Sequence, residues 1–329
     1  MTKLAKQILI LILTAALFAA FNASMYFLFT RRLANNFSGA SQAKMVDVGS
    51  YLPHDPASAL ARVESSLKLT DDLPVLDGAA ALLPVYAAIA DAVYPVGSVT
   101  YEGGEFSDDN YYGENFAEDS AVQYRNTVRG YKAVVDGTAD ILFCAAPSAE
   151  QEEYAKDAGV ELVYVPIGRE AFVFFVSGNN PVDSLTTAEI RDIYAGTITN
   201  WADVGGTDRI INPVTRLAGS GSQSAMDAFM AGTPIGKKSP LAITGASIGF
   251  SFRYYMDGIV GNDSVKMLAL NGVEPTAENI RDGSYPIIAE FYAIYRADNP
   301  NRNIPVLIDW ILSEEGQSLV EDSGYVRIS

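Results

Sequence analysis

The sequence has a single cysteine, Cys144, and a single histidine, His54. One thiol cannot close an internal disulfide, build a cysteine zinc site or form a dithiol redox pair. One histidine, set in a polar stretch, leaves Ser-His-Asp and Cys-His catalysis without a well-placed base. Basic residues are scarce: 23 Lys and Arg stand against 40 Asp and Glu, a formal charge of −17. Nucleic-acid binding needs a basic surface that displaces counterions, so that class is excluded. No cysteine stands directly after the one long apolar run, which excludes a lipid-modified lipoprotein, and no internal repeat is visible.

What is present fits a large globular body behind an anchor. The 329 residues, 49% of them apolar, suffice for two domains, at roughly 150 residues each. Ile8 to Thr30 is an almost unbroken apolar run of 23 residues, flanked by Lys3 and Lys6 before it and Arg31 and Arg32 after it. A helix crosses a bilayer core with about 20 residues. The apolar part of a secretory signal is about 7–15 residues and ends in a small-x-small site. Ala20-Phe21-Asn22 is a poor site of that kind, so an uncleaved transmembrane anchor is favoured over a cleaved signal for residues 1–32. With two basic residues on each side, the positive-inside rule leaves the orientation open.

Residues 33–72 are polar and mixed, and read as a linker with little core. Within it, Ala57 to Leu69 fits one short helix and His54 a solvated position. After Asp72 strands and helices alternate. Helices are expected at Leu83–Tyr94 (with Pro84 in its first turn), Gly130–Asp136, Thr187–Tyr194, Ser222–Met230, Ile304–Leu312 and Glu315–Asp322. Strands are expected at Asp140–Ala145, Glu161–Pro166, Ala171–Ser177, Ile210–Thr215 and Tyr285–Tyr295. Thr186-x-x-Glu189 is a capping box, and Gly196 ends the helix that it opens. The alternation predicts an α/β fold with mostly parallel sheets. Tyr101 to Asp119 is acidic, aromatic and glycine-rich, a surface loop either solvated or facing a partner. Asp108, Asn110, Gly113 and Asp119 come near a calcium-loop pattern, but Tyr112 stands where an oxygen ligand belongs and the last position is Asp, not Glu. No metal and no cofactor is expected.

The most informative segment is Ile210–Met230, IINPVTRLAGSGSQSAMDAFM. An apolar strand leads to Arg216, and Gly219-Ser220-Gly221-Ser222 opens an amphipathic helix. Free N–H groups and the positive end of a helix dipole attract an anion. Ser220 and Ser222 add hydroxyls, and Arg216 adds a paired, charge-assisted contact. An ordinary capped helix after a turn satisfies the same spacing equally well. Gly78-Ala79-Ala80-Ala81-Leu82-Leu83-Pro84 is another small-residue turn before a helix, offering N–H groups but no hydroxyl, and Tyr124–Gly130 is a polar lead into a third. No nucleophile–base pair is visible, so the chain does not read as an enzyme.

From about Pro74 onward the chain resembles a periplasmic-type substrate-binding protein of the phosphate-specific transport class. The resemblance rests on DGAAALLPVY (Asp77–Tyr86), YKAVVDGTADILFCAAPS (Tyr131–Ser148), NPVDSLTTAEIRDIYAGTITNWADVGG (Asn180–Gly206), TRLAGSGSQSAM (Thr215–Met226), NGVEPTAENIRDGSYPI and LIDWILSEEGQSLVEDSGYV, in the expected order. It implies a two-lobed, type II binding-protein fold, with lobe one from residues 73–170 and 285–329 and lobe two from residues 171–284. It further implies an extracytoplasmic body, anchored or secreted, that captures phosphate or a related oxyanion for an ABC transporter permease or a membrane sensor. Arg216, Ser220, Gly221 and Ser222 match the family's anion-binding segment. Thr127 falls near a ligand-binding hydroxyl, and Ala81 and Leu82 lie in the first binding loop. Two departures weaken the expected grip: Ala81 replaces a Ser or Thr, and Ala145 stands where phosphate-specific members carry a polar, often acidic residue. Each lost hydrogen bond costs about 1 kcal/mol, more for a charged ligand. The implied ligand is therefore phosphate held weakly, another oxyanion or a larger molecule. The alternative is an anchored surface protein that uses the same fold for protein–protein or matrix contact.

Overall fold

The computed structural model describes residues 5–6, 18, 21–22, 24–25, 46–103, 115–216, 218–236, 245–260 and 264–328. The chain divides into two units, Met1–Lys44 and Met45–Ser329. In the first, the described residues are helical, and Asn22 Nδ2 donates to the Phe18 carbonyl over 2.7 Å. Most of the Ile8–Thr30 run lies outside the described residues, and among the described residues no helix is long and apolar enough to cross a membrane. The Asp108–Gly113 stretch also lies outside them.

In the second unit the strands are β1 (Leu76–Gly78), β2 (Tyr101–Gly103), β3 (Asn115–Phe116), β4 (Ile141–Ala145), β5 (Leu162–Ser177), β6 (Ser184–Leu185), β7 (Ile211–Pro213), β8 (Ala246–Phe252), β9 (Val265–Met267), β10 (Ala269–Leu270) and β11 (Ile288–Arg296). The helices are α1 (Leu83–Val93), α2 (Asn126–Val135), α3 (Ala149–Asp157), α4 (Thr187–Ala195), α5 (Gly221–Met230), α6 (Ala277–Arg281), α7 (Asn303–Leu312) and α8 (Glu314–Asp322). The main sheet runs β1-β4-β11-β5-β8-β7, with β9 also on β5. It is mixed, where the alternation predicted mostly parallel pairing. β1–β4 and β7–β8 are parallel, but β11 lies antiparallel to both β4 and β5, and β5 antiparallel to β8. The cause is non-local: a strand from late in the chain inserts between two early ones.

Two separate strands were expected at Glu161–Pro166 and Ala171–Ser177, but one strand of 16 residues runs through both. Its first part pairs with β11 as far as Ala171, and its second pairs with β8 from Phe172. The polar Gly168-Arg169-Glu170 interruption stays paired with Phe291, Glu290 and Ala289, and the register shift falls just before it, between Phe291 and Tyr292, where Ile167 is passed over. Gly168 is required there, because a Cβ would stand 2.2 Å from Phe291 Cζ. The second part of β5 builds an aromatic core: ring centroids are 5.5 Å apart for Phe172–Phe174, 5.3 Å for Phe174–Phe229 and 5.7 Å for Tyr194–Phe250, within the range of favourable aromatic pairs. Trp201 is buried and its indole N–H donates to the Ala246 carbonyl over 3.0 Å, which makes it a packing anchor.

Residues 46–72 do more than link. Val46, Val48, Leu60 and Leu69 are buried, and the Leu69 amide donates to the Val93 carbonyl at the end of α1 over 3.0 Å. No helix forms at Ala57–Leu69, because these backbone and side-chain groups bond to distant segments; the Ser66 amide, for example, donates to Glu315 over 2.9 Å. His54 is likewise not solvated: its side chain is 17% exposed and its amide donates to Asp91 over 2.5 Å.

The helix ends obey the local rules. The Thr186–Glu189 capping box opens α4, and Gly196 closes it in the left-handed conformation at φ 83°. A second capping box, Ser148 with Gln151, opens α3. Helix α1 is buried along nearly its whole length, as the apolar Leu83–Val93 sequence requires of a helix covered on several sides.

Candidate functional site

Asp77 sets the geometry of the first wall. It is fully buried in the middle of β1, where Oδ1 accepts from the Gly78 amide (2.8 Å) and the Arg125 amide (2.9 Å). Oδ2 accepts from Arg125 Nη1 over 2.9 Å. Burial raises its pKa above the usual carboxylate range, and Arg125 opposes that rise. Because Arg125 is the N-cap residue of α2, this carboxylate ties the start of that helix to the strand and turn before α1. Asn126 follows at φ 61°, a left-handed conformation that Asn tolerates better than most residues. Its Oδ1 accepts from the Thr127 amide (2.8 Å) and the Ala80 amide (3.5 Å), binding the two turns together.

The second wall is the turn before α5. Ser220 caps the helix through its side chain, which accepts from the Gln223 amide over 3.3 Å, and its carbonyl accepts from Ser224 over 2.9 Å. Gln223 returns a bond through Oε1, which accepts from the Arg216 amide over 2.9 Å. Among the described residues the Gly221 and Ser222 amides donate to no acceptor, and the half-buried Arg216 side chain makes no hydrogen bond or ion pair. These are the orphan donors that a helix start presents.

The walls meet. A Cβ placed on Gly221 would stand 3.6 Å from Thr127 Oγ1 and 4.0 Å from the Ala145 Cβ. Gln151 Nε2 reaches the Gly219 carbonyl over 3.4 Å. Beside Gly221 lies a cavity of about 30 Å³, bordered by Ala79, Ala81, Leu82, Ala145, Phe252, Phe291 and Tyr325 together with Glu170 and Glu290. The structure thus brings Ala81, Leu82 and Gly221 to one cavity and sets Thr127 against Gly221, whereas Arg216, Ser220 and Ser222 do not border it. The Leu82 amide is occupied by the Ala79 carbonyl at 2.9 Å, and the Ala81 carbonyl accepts from the Tyr325 hydroxyl. A larger cavity of about 300 Å³, bordered by His54, Asp55, Val96 and Tyr101 among others, shares no residue with this one.

Glu170 was not singled out from sequence. It sits where β5 passes from β11 to β8, 2% exposed, with Oε1 accepting from Arg253 Nε (3.0 Å) and the Ala171 amide (2.9 Å). Oε2 accepts from the Tyr254 amide over 3.0 Å. Burial raises its pKa, and Arg253 pulls it back. The available signal was an acidic residue directly before the apolar run AFVFFVS, at a depth where an unpaired charge is not tolerated. Arg169, its neighbour, makes no ion pair among the described residues; its backbone pairs with Val326. Also among them, no cluster of His, Cys, Asp or Glu is arranged to hold a metal ion.

Comparison with known proteins adds independent evidence. A profile described as a PBP superfamily domain matches residues 109–315, more than half of the chain. The phosphate-binding protein PstS of Bacillus subtilis is 29% identical over 229 residues, covering 66% of this chain and 73% of that protein. Protein SphX of Synechococcus elongatus is 25% identical over 295 residues, covering 78% and 86%. A crystal structure from Clostridium perfringens, described as a phosphate ABC transporter substrate-binding protein with bound phosphate, aligns with a TM-score of 0.56 at 26% identity, covering 80% of this chain and all of that one. An ABC-type phosphate transport receptor from Vibrio cholerae shares the fold, with a TM-score of 0.51 at 20% identity and coverage of 79% and 99%.

Proposed function

Because the chain belongs to the PBP superfamily, we propose that it is an extracytoplasmic solute-binding protein, which captures a small anion between two lobes for an ABC transporter permease or a membrane sensor. The single observation that carries this reading is the meeting of the α5 start with Thr127 and the Ala80–Leu82 turn, with the Gly221 and Ser222 amides donating to nothing among the described residues. Such amides, backed by a helix dipole, suit a tetrahedral oxyanion. The names of the Bacillus relative and the Clostridium structure support phosphate or a close analogue as that anion.

In this reading residues 73–170 and 285–329 form one lobe and 171–284 the other. The partner change along β5 between Ala171 and Phe172 supports a crossing there. Ser220 and Ser222 supply hydroxyls at the rim, Thr127 faces them from the other lobe, and Arg216 swings in to pair with the anion. Ala81 and Leu82 contribute wall rather than charge, given their occupied carbonyl and amide. Residues 1–32 form the anchor that keeps the body at the outer membrane face. The exposed Phe18, Phe21 and Met25 side chains are in keeping with a lipid-facing helix.

Thermal unfolding of the full chain with phosphate, sulfate and related anions tests the reading. A ligand at one hundred times its Kd stabilises by about 2.7 kcal/mol. Arg216→Ala removes a charge-assisted contact of about 1.5–3 kcal/mol, a roughly ten- to hundredfold loss of affinity. A melting point that no anion raises, or a shift that survives Arg216→Ala unchanged, contradicts the proposal.

A further inference from the structure

The cavity beside Gly221 sets a donor against a wall of carbon. On one side is the start of α5, where the Gly221 amide donates to nothing among the described residues. On the other, the side chains of Ala81, Leu82, Ala145, Phe252 and Phe291 present only carbon. The two sides are close: a Cβ on Gly221 would stand 4.0 Å from the Ala145 Cβ. No side chain on the carbon wall has a proton to give. The Tyr325 hydroxyl is spent on the Ala81 carbonyl, and Glu170 and Glu290 accept from Arg253 and Tyr292. Nearby backbone is used as well, with the Ala79 amide on the Phe143 carbonyl at 2.8 Å and the Leu82 amide on the Ala79 carbonyl at 2.9 Å. At about 30 Å³ the cavity holds roughly two waters, or one group the size of a methyl. Carbon-walled cavities take an apolar occupant in preference to water.

Inorganic phosphate matches only half of this site. Its oxygens suit the amides of α5, but an oxygen turned to the carbon wall gives up its water and gains no donor from a side chain there. The carboxylates on the rim do not separate phosphate from its organic derivatives, because both kinds carry an O–H near neutral pH. Replacing the one mismatched oxygen by carbon removes the penalty and adds the gain of burying an apolar group. Resting on the anion-binding reading above, we propose that the cleft takes a phosphorus oxyanion with a short carbon substituent, of the alkylphosphonate class: the oxygens sit on the start of α5 and the alkyl group fills the cavity against Ala145.

Calorimetric titration of the full chain with sodium phosphate and with sodium methylphosphonate at neutral pH, for wild type, Ala145→Ser and Arg216→Ala, tests this. Wild type is expected to bind methylphosphonate about tenfold or more tightly than phosphate, the worth of one unmade hydrogen bond and one buried methyl. Ala145→Ser puts a hydroxyl on the wall and is expected to cut that preference by about tenfold, strengthening phosphate and weakening methylphosphonate. A merely structural effect of the substitution weakens both alike. Arg216→Ala is expected to weaken both ligands. Phosphate binding as tightly as methylphosphonate or more tightly on wild type overturns the proposal and leaves the anion-binding reading intact; this arm stands even if Ala145→Ser does not fold. An unchanged preference in a folded Ala145→Ser overturns it too, because the methyl group is then not against Ala145. Binding of neither ligand by wild type overturns the anion-binding reading itself, and this proposal with it.

Discussion

Removing the Asp77 carboxylate tests how the first wall of the cleft is held. Asp77→Ala strands two backbone amides, Gly78 and Arg125, and deprives the Arg125 guanidinium of its partner. Breaking a buried pair from one side costs about 3–5 kcal/mol. Arg125 is 29% exposed and water recovers part of its solvation, while deletion also relieves the burial penalty that raises the Asp77 pKa. Both corrections place the expected loss near the lower end, about 3 kcal/mol. Asp77→Asn keeps one carbonyl oxygen for the two amides but sets an N–H₂ against Arg125, so it is expected to cost about 1–3 kcal/mol. Urea unfolding followed by circular dichroism measures both, with an unchanged m-value showing that only stability moved. In a body of this size 3 kcal/mol corresponds to a melting point lower by about 5 °C. A loss below about 1 kcal/mol for Asp77→Ala would refute the reasoning, because the carboxylate would then not be what fixes the start of α2.

Two further outcomes follow from burial. The Asp77 and Glu170 pKa values are both raised by burial, so the folded chain holds these protons more tightly than the unfolded one. Stability therefore falls as pH rises from the ordinary carboxylate range through the raised values. The lowered pKa values of Asp282, Asp298, Glu314 and Glu315, caused mainly by hydrogen bonds, have the opposite sign, and their contribution is lost only below that range. The melting point is expected to be higher near pH ~5 than near pH ~8 and to drop again below about pH 3.5; a curve that rises from 5 to 8 contradicts this. Burial also pushes the Cys144 thiol up to about 12, so a thiol reagent at neutral pH should label it only after denaturation, and rapid native labelling would show that β4 is not covered.

Much of the local structure was legible because its signals are local. Thr186-x-x-Glu189 carries its own cap, Gly196 its own stop, and the apolar Leu83–Val93 stretch its own demand for burial. The segment from Arg216 to Ser222 was legible as a helix start for the same reason. What stayed hidden depends on partners far along the chain. The insertion of β11 between β4 and β5 decides strand direction, and nothing near Ile288 records it. Residues 46–69 read as a spacer because their bonds run to Val93 and Glu315. Glu170 passed unnoticed because its cation, Arg253, lies 83 residues away.

The central claim is that an anion docks on the start of α5, and amide NMR of the full chain titrated with phosphate tests it most directly. The account predicts the largest downfield shifts at the Gly221 and Ser222 amides, both lost in Arg216→Ala, with the capping glycine Gly196 unmoved. Shifts confined to other parts of the chain, with Gly221 and Ser222 silent at saturating phosphate, would contradict it.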